Sequence, residues 1–142
     1  MITMNIKKID PTAKIPTYAR VGDAGADLYA SEDVTLHYYS TEAVPTGIAL
    51  EIPNGYVGYI NPRSSLGVKG ITVINAPGTI DSGYRGEIKV ILANHTGEDY
   101  QITKGDKIAQ IVFHKFEEVF FEPVDELSDS ERGTGGFGST GK

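Results

Sequence analysis

Cysteine and tryptophan are both absent from this chain of 142 residues, and it has two methionines. Without cysteine there is no disulfide framework, no thiolate zinc site and no thiol nucleophile. Positive charge is also scarce, because 13 Lys and Arg stand against 19 Asp and Glu and leave a formal net charge of -6. Broad sequence-independent nucleic-acid binding relies on many contacts between cations and phosphates, so that class is excluded. Any phosphate ligand must be met by a few placed cations. No apolar run is long enough for a membrane span or a signal peptide, the N-terminus reading MITMNIKKID. The expectation is a soluble, unexported, cytoplasmic protein with no membrane partner. On that expectation the Asn94-His95-Thr96 sequon carries no glycan.

Hydrophobic residues at 39% and charged residues at 23% are ordinary for a globular chain, and the length suits one domain that self-association would help stabilise. Seventeen glycines and seven prolines cut the sequence into short segments, none of which holds an apolar 3.6-residue period for three turns. That is an all-β pattern. Strands are expected near Ala26 to Tyr29, Val34 to Leu36, Gly47 to Ile52, Tyr56 to Ile60, Thr72 to Ile74, Glu87 to Asn94 and Lys107 to Glu118. In the sixth of these, Ile88, Val90 and Leu92 share one face while Lys89 and Ile91 share the other, so the second face is partly covered. The one helical turn expected is Ser64 to Val68, between Pro62-Arg63 and Gly70. The chain divides into a β-rich body, 1–127, and a tail, 128–142, of Ser, Asp, Gly and Thr, in which Phe137 is the only large apolar side chain. Such a tail buries too little apolar surface to offset its ordering entropy, and it is expected to be flexible until it closes over a ligand.

Five stretches carry candidate chemistry. In NAPGTIDSGYRGE, Asp81 sits at a Gly-flanked bend with Tyr84, Arg85 and Glu87 beyond it, and a hairpin loop there would offer backbone groups to a flat polar ligand. The plain alternative is a solvated turn. In AGADLYA, Asp27 lies among small residues and also reads as a turn carboxylate. NPRSSLGVKG gathers Arg63, Ser64 and Ser65 at a possible helix start, which suits a phosphate or carboxylate as well as it suits an N-capped surface turn. Gln110 in KGDKIAQIVF interrupts an apolar strand, and its amide needs either a ligand or a protein partner. The tail GTGGFGSTGK contains Gly133-x-Gly135-x-x-Gly138, but a dinucleotide fingerprint needs a following helix to receive the pyrophosphate, so that match is rejected. No Walker A sequence occurs, and His37, His95 and His114 lack ligand spacing.

Taken in order, AGADLYA, PRSSLGVKG, NAPGTIDSGYRGE, KGDKIAQIVF and RGTGGFGSTG resemble the five motifs of the trimeric dUTP pyrophosphatase (dUTPase) family, from Ala24 to Gly141. The resemblance implies a jelly-roll-like subunit assembled as a homotrimer, each active site being shared among three chains. It implies that Asn75, Gly78, Thr79, Ile80 and Asp81 shape a uracil pocket too tight for a C5 methyl, that Tyr84 lies against the deoxyribose, and that Lys89 contacts substrate. Asp81 would activate the water that attacks the α-phosphorus of dUTP, releasing dUMP and pyrophosphate. Arg63, Ser64, Ser65 and Gln110 would hold the triphosphate, with Ser64 placed to stabilise charge on the leaving group. Arg132 would pair with the γ-phosphate, and Phe137 beside Gly138 would stack over uracil. Mg²⁺ would be held by phosphates and water, with Asp27 contacting those waters from the outer shell. Two positions depart from the family pattern: Ser65 replaces a common Gly, and Gly83 a common Asp.

Two other readings stay open on the residues alone. A dCTP deaminase of the same superfamily needs a catalytic Glu aimed at C4 of cytosine. A binding module holds a nucleotide or a partner protein without turnover.

Overall fold

The computed structural model describes residues 1–141. Lys142, the last residue of the expected tail, lies outside the described residues. Short segments rich in β-branched residues and cut by Gly and Pro give strands of three to nine residues. They are β1 (Asn5–Lys8), β2 (Ala26–Tyr29), β3 (Val34–Leu36), β4 (Thr41–Pro45), β5 (Ile48–Glu51) and β6 (Tyr56–Asn61), then β7 (Ile71–Val73), β8 (Gly78–Ile80), β9 (Lys89–Asn94), β10 (Tyr100–Ile102) and β11 (Lys107–Lys115). Helix α1 (Ser64–Gly67) is a single turn anchored by buried Leu66.

A four-stranded sheet runs in the order β2-β11-β6-β8 and a three-stranded sheet in the order β4-β9-β7, with the pairs β1-β5 and β3-β10 beside them. Every pairing is antiparallel. The core is a continuous apolar cluster that includes Leu28, Leu36, Val44, Ile60, Ile71, Leu92, Ile108 and Ile111. With its structural neighbours described below, this makes the fold an all-β, jelly-roll-like sandwich with one short helix. Along β9 the alternation works as expected: Ile88, just ahead of the strand, and Val90 and Leu92 within it are buried, whereas Lys89 is exposed.

Three features differ from the sequence reading. Strands β1, β4, β8 and β10 were not expected; they are short, and β4 ends on Pro45, so they lack a run of alternation to mark them. The last strand stops at Lys115 because its partner β6 begins at Tyr56; beyond it a single bond from the Phe116 N–H to the Gly55 carbonyl ends the ladder. Finally, Asn75 to Glu87 is not a simple hairpin loop. β7 and β9 do pair with each other, but the chain between them crosses to the other sheet, where β8 pairs with β6. A three-residue strand flanked by Gly and Pro gives no periodic signal.

Residues 116–141 form neither strand nor helix, and Val119, Phe120, Phe121, Leu127 and Phe137 are exposed. Asn94 is buried, its Nδ2 donating to the carbonyls of Leu36 and Glu98, so the sequon is a structural amide. Among the described residues, no helix is long and apolar enough to cross a membrane.

Candidate active site

A cleft of about 520 Å³ opens where the ends of β2, β6 and β11 meet α1, and Asp27, Arg63, Ser64, Ser65, Lys107 and Gln110 line it. The strand register brings Gln110 between Asp27 on β2 and Asn61 on β6. Two residues beyond Asn61 comes Arg63, the residue that precedes α1. Its side chain reaches back into the cleft, with Nε 3.5 Å from Asp27 Oδ1 and Nη1 donating to the Lys107 carbonyl at 3.2 Å. No side chain caps the first turn of α1, so its leading N–H groups keep no side-chain partner, and Ser64 and Ser65 are exposed. Gln110 Nε2 donates to the Pro62 carbonyl at 3.2 Å, while its Oε1 lies over Gly25, where a Cβ would come within 2.2 Å. Gly25 is what lets the amide lie across the strand.

Sequence reasoning missed Lys107. Its Nζ is 2.6 Å from Asp27 Oδ2, the shortest ion pair among the described residues. Residues three apart on a regular strand face opposite ways, so Lys107 and Gln110 should not share a cleft. A register shift between Lys107 and Ala109 adds one residue to β11 and restores them to the same side. The signal is present in the sequence as the adjacent buried pair Ile108-Ala109, which breaks the alternation. Asp27 is itself 9% exposed and lies among two cations. Its hydrogen bond and charge raise the Lys107 pKa above the ordinary lysine value, so the ammonium stays charged at neutral pH.

The second group of candidate residues lies around β8. This is the outer strand of its sheet, so its far edge keeps backbone donors and acceptors that no neighbouring strand uses. Asn75 lays its amide against buried Gly78. Thr79, Ile80, Asp81, Tyr84, Glu87 and Lys89 then line a pocket of about 360 Å³. The Asp81 carboxylate is exposed and makes no hydrogen bond or ion pair to another described residue. Its carbonyl accepts the Tyr84 N–H at 3.1 Å, closing the turn. Tyr84 folds over Gly86, and its hydroxyl donates to the Glu87 carbonyl at 2.9 Å. Gly83 has open space at its Cβ position, so the departure from Asp there removes no packing contact.

These two groups do not meet within one chain. β6 joins them, with Gly78 opposite Ile60 at the cleft end and Ile80 opposite Gly58 at the other. Asp81 therefore lies level with Val57, six residues from Arg63, a separation of ~20 Å at the rise of an extended strand. The tail residues line neither hollow. Arg132 Nε donates to the Gly135 carbonyl within the tail, and Phe137 and Gly138 are exposed there. Among the described residues, no three His, Asp or Glu side chains cluster to hold a metal by themselves.

The all-β sandwich carries two hollows, one with an Arg, hydroxyls and an amide suited to phosphates and one with an open carboxylate beside an aromatic ring, a combination that suits a phosphate-bearing ligand with a flat polar group. The family described as dUTPase matches residues 11–141, and this chain belongs to it. A deoxyuridine 5'-triphosphate nucleotidohydrolase of Thermobifida fusca is 52% identical, over 99% of this chain and 79% of its own length. One from Nautilia profundicola is 51% identical, over 98% of this chain and 99% of its own. Among solved structures, a variant of the Staphylococcus bacteriophage 80alpha dUTPase with dUpNHpp superposes with a TM-score of 0.94 at 28% identity, covering all of both chains. A dUTPase variant from phage phi11 of S. aureus, described as coordinating a structural Mg(II) ion, gives 0.82 at 27% identity, covering 89% of this chain and 99% of that one.

The Asp27–Lys107 pair yields a pH test. Because the folded pKa of Lys107 is raised, the stability it contributes is present in full below the ordinary value of 10.5 and is lost as pH rises through the folded value. Wild-type protein should therefore resist urea better than Lys107→Met by a margin that is constant from pH 7 to 9 and shrinks above pH 10.5. A margin that does not change at alkaline pH would show that the charge pair is not its source.

Proposed function

We propose that this protein hydrolyses dUTP to dUMP and pyrophosphate, limiting uracil incorporation into DNA and supplying dUMP for thymidylate synthesis. The observation that carries this reading is the open Asp81 carboxylate at the end of an edge strand, in a chain of the dUTPase family. Uracil is flat and carries alternating donors and acceptors on one edge. The free edge of β8 at Gly78, Thr79 and Ile80, with the Asn75 amide against Gly78, suits such an edge, and a turn fitted closely to the base would exclude a C5 methyl. The Tyr84 ring lies against the deoxyribose and rejects a 2'-hydroxyl, while Lys89 stands at the mouth of the pocket.

Asp81 accepts a proton from water as the water oxygen attacks the α-phosphorus, and the bond to the bridging oxygen breaks to release pyrophosphate. Arg63, Ser64, Ser65 and Gln110 hold the phosphates in line, and Ser64 donates to the departing charge. Lys107 joins this set. The cleft also carries carboxylates, Asp23 and Asp27, beside its cations and hydroxyls, and that donor set fits a triphosphate bearing a hydrated Mg²⁺. The ion would be held by phosphate oxygens and water, with Asp27 contacting a water, and would supply charge neutralisation on the phosphates.

A separation of ~20 Å between Asp81 and Arg63 exceeds what one triphosphate spans, so each site is completed by other copies of the chain. The assembly is a homotrimer with three shared sites. Val119, Phe120, Phe121 and Leu127, bare in the single chain, support this reading because a neighbouring copy would cover them. Residues 128–142 close over the bound nucleotide, Arg132 pairing with the γ-phosphate and Phe137, turned at Gly138, stacking on uracil. The expected location is the cytoplasm.

Pyrophosphate release measured with dUTP, dCTP, dTTP and UTP in the presence of Mg²⁺ should be confined to dUTP, and Asp81→Asn should lower it by about 10²-fold or more. Release from dCTP would point instead to the deaminase branch, and binding without release to a binding module. Deleting residues 132–142 should leave a folded oligomer, by light scattering and circular dichroism, with turnover reduced by about tenfold or more. Unchanged turnover in that truncation would remove Arg132 and Phe137 from the mechanism.

A further inference from the structure

We propose that Glu87 is a positioning residue that sets the preference for deoxyribose over ribose, by fixing Tyr84 to the body of the sandwich. The inference rests on the reading of Tyr84 as the residue against the sugar. Tyr84 sits in an exposed turn, and a ring in such a turn can discriminate one hydroxyl only if something holds it still. Its hydroxyl donates to the carbonyl of Glu87 at 2.9 Å, so the ring is no better fixed than that carbonyl.

Residues 87 and 88 are clamped to the link between β4 and β5. The Glu87 Oε1 atom accepts the Gly47 N–H at 3.0 Å. The Ile88 carbonyl accepts both the Thr46 N–H at 3.3 Å and the Thr46 hydroxyl at 2.5 Å, and the Ile88 N–H donates to the Ile48 carbonyl at 2.8 Å. Gly47 is fixed in turn, since its own carbonyl accepts the N–H groups of Ile9 and Asp10. Thr46 and Ile88 are buried at 1% and 0% exposure, so that part of the clamp is shielded from water. The Glu87 side chain is the one charged member. Its second oxygen, Oε2, is 3.9 Å from Lys89 Nζ, across the pocket that Tyr84 also lines. Glu87 thus holds the sugar-facing ring by its main chain, the β4–β5 link by one carboxylate oxygen and Lys89 by the other.

The test compares kcat/KM for dUTP and UTP in wild-type protein, Glu87→Ala, Glu87→Gln and Tyr84→Phe. Losing one hydrogen bond of this kind should cut the dUTP-over-UTP preference by about tenfold in Glu87→Ala, whereas Glu87→Gln, whose amide oxygen still accepts from Gly47, should stay within about threefold of wild type. Tyr84→Phe should lose preference similarly, and adding Glu87→Ala to it should change little further, since both break the same linkage. If Glu87→Ala fails to fold, Glu87→Ser, too short to reach Gly47, takes its place. An unchanged preference, or equal losses on both nucleotides, would overturn the proposal. A wild-type protein inert on dUTP would instead overturn the assigned activity, so the two failures are distinguishable.

Discussion

The length of β6 is the constraint from which the functional architecture follows. One end of this strand holds the residues that lead to Arg63 and α1, and the other lies beside the end of β8, where Asp81 emerges. An extended strand cannot shorten, so a single chain keeps its cation cleft and its carboxylate at arm's length. The cross-over of the β7–β9 connection onto the opposite sheet makes that separation rigid, because β8 is paired with β6 rather than left as a loop. On the proposed reading, such a subunit would gain a complete reaction site by symmetry, each copy offering its carboxylate end to a neighbour's cleft end.

Charge is arranged to match. The chain as a whole is acidic, yet Arg63 and Lys107 converge on one carboxylate at the point where phosphates would enter. Asp27 pairs with both side chains within the single chain, and such preorganisation would lower the ordering cost of binding an anion there. The β11 bulge is what brings Lys107 to this cluster. At the other end the logic is reversed: the Asp81 carboxylate forms no ion pair among the described residues, and its turn is braced by the Tyr84 N–H on the Asp81 carbonyl and by Arg85 Nη1 on the Ser82 and Tyr84 carbonyls. A carboxylate left unpaired is available to take a proton from water.

Much of this was legible in the chain itself. Alternation at Ile88, Val90 and Leu92 placed β9, and the Pro-Arg-Ser-Ser-Leu run marked the turn of helix beside the cleft. Asp27, Arg63, Ser64, Ser65 and Gln110, drawn from three separate motifs, line one cleft. What was hidden depended on long-range pairing. No local pattern reveals that Gly78 to Ile80 joins the opposite sheet, and the place of Lys107 depends on a bulge visible only as two adjacent apolar residues. Glu87 reads as the end of a turn until Gly47, forty residues earlier, is known to lie against it. The tail motif lines neither hollow in the single chain: Arg132 bonds within the tail, and Phe137 is exposed.

Subunit mixing tests the shared site most directly. Asp81→Asn and Arg63→Ala chains, each nearly inactive alone, would be unfolded together, refolded as mixed trimers and assayed for pyrophosphate release from dUTP. If Asp81 and Arg63 serve a site from different chains, random mixing in equal amounts places both intact groups at roughly a quarter of the sites, and that share of wild-type activity returns. If both groups serve from the same chain, no mixed trimer holds an intact pair. Activity that stays at the level of the separate variants would contradict the shared site.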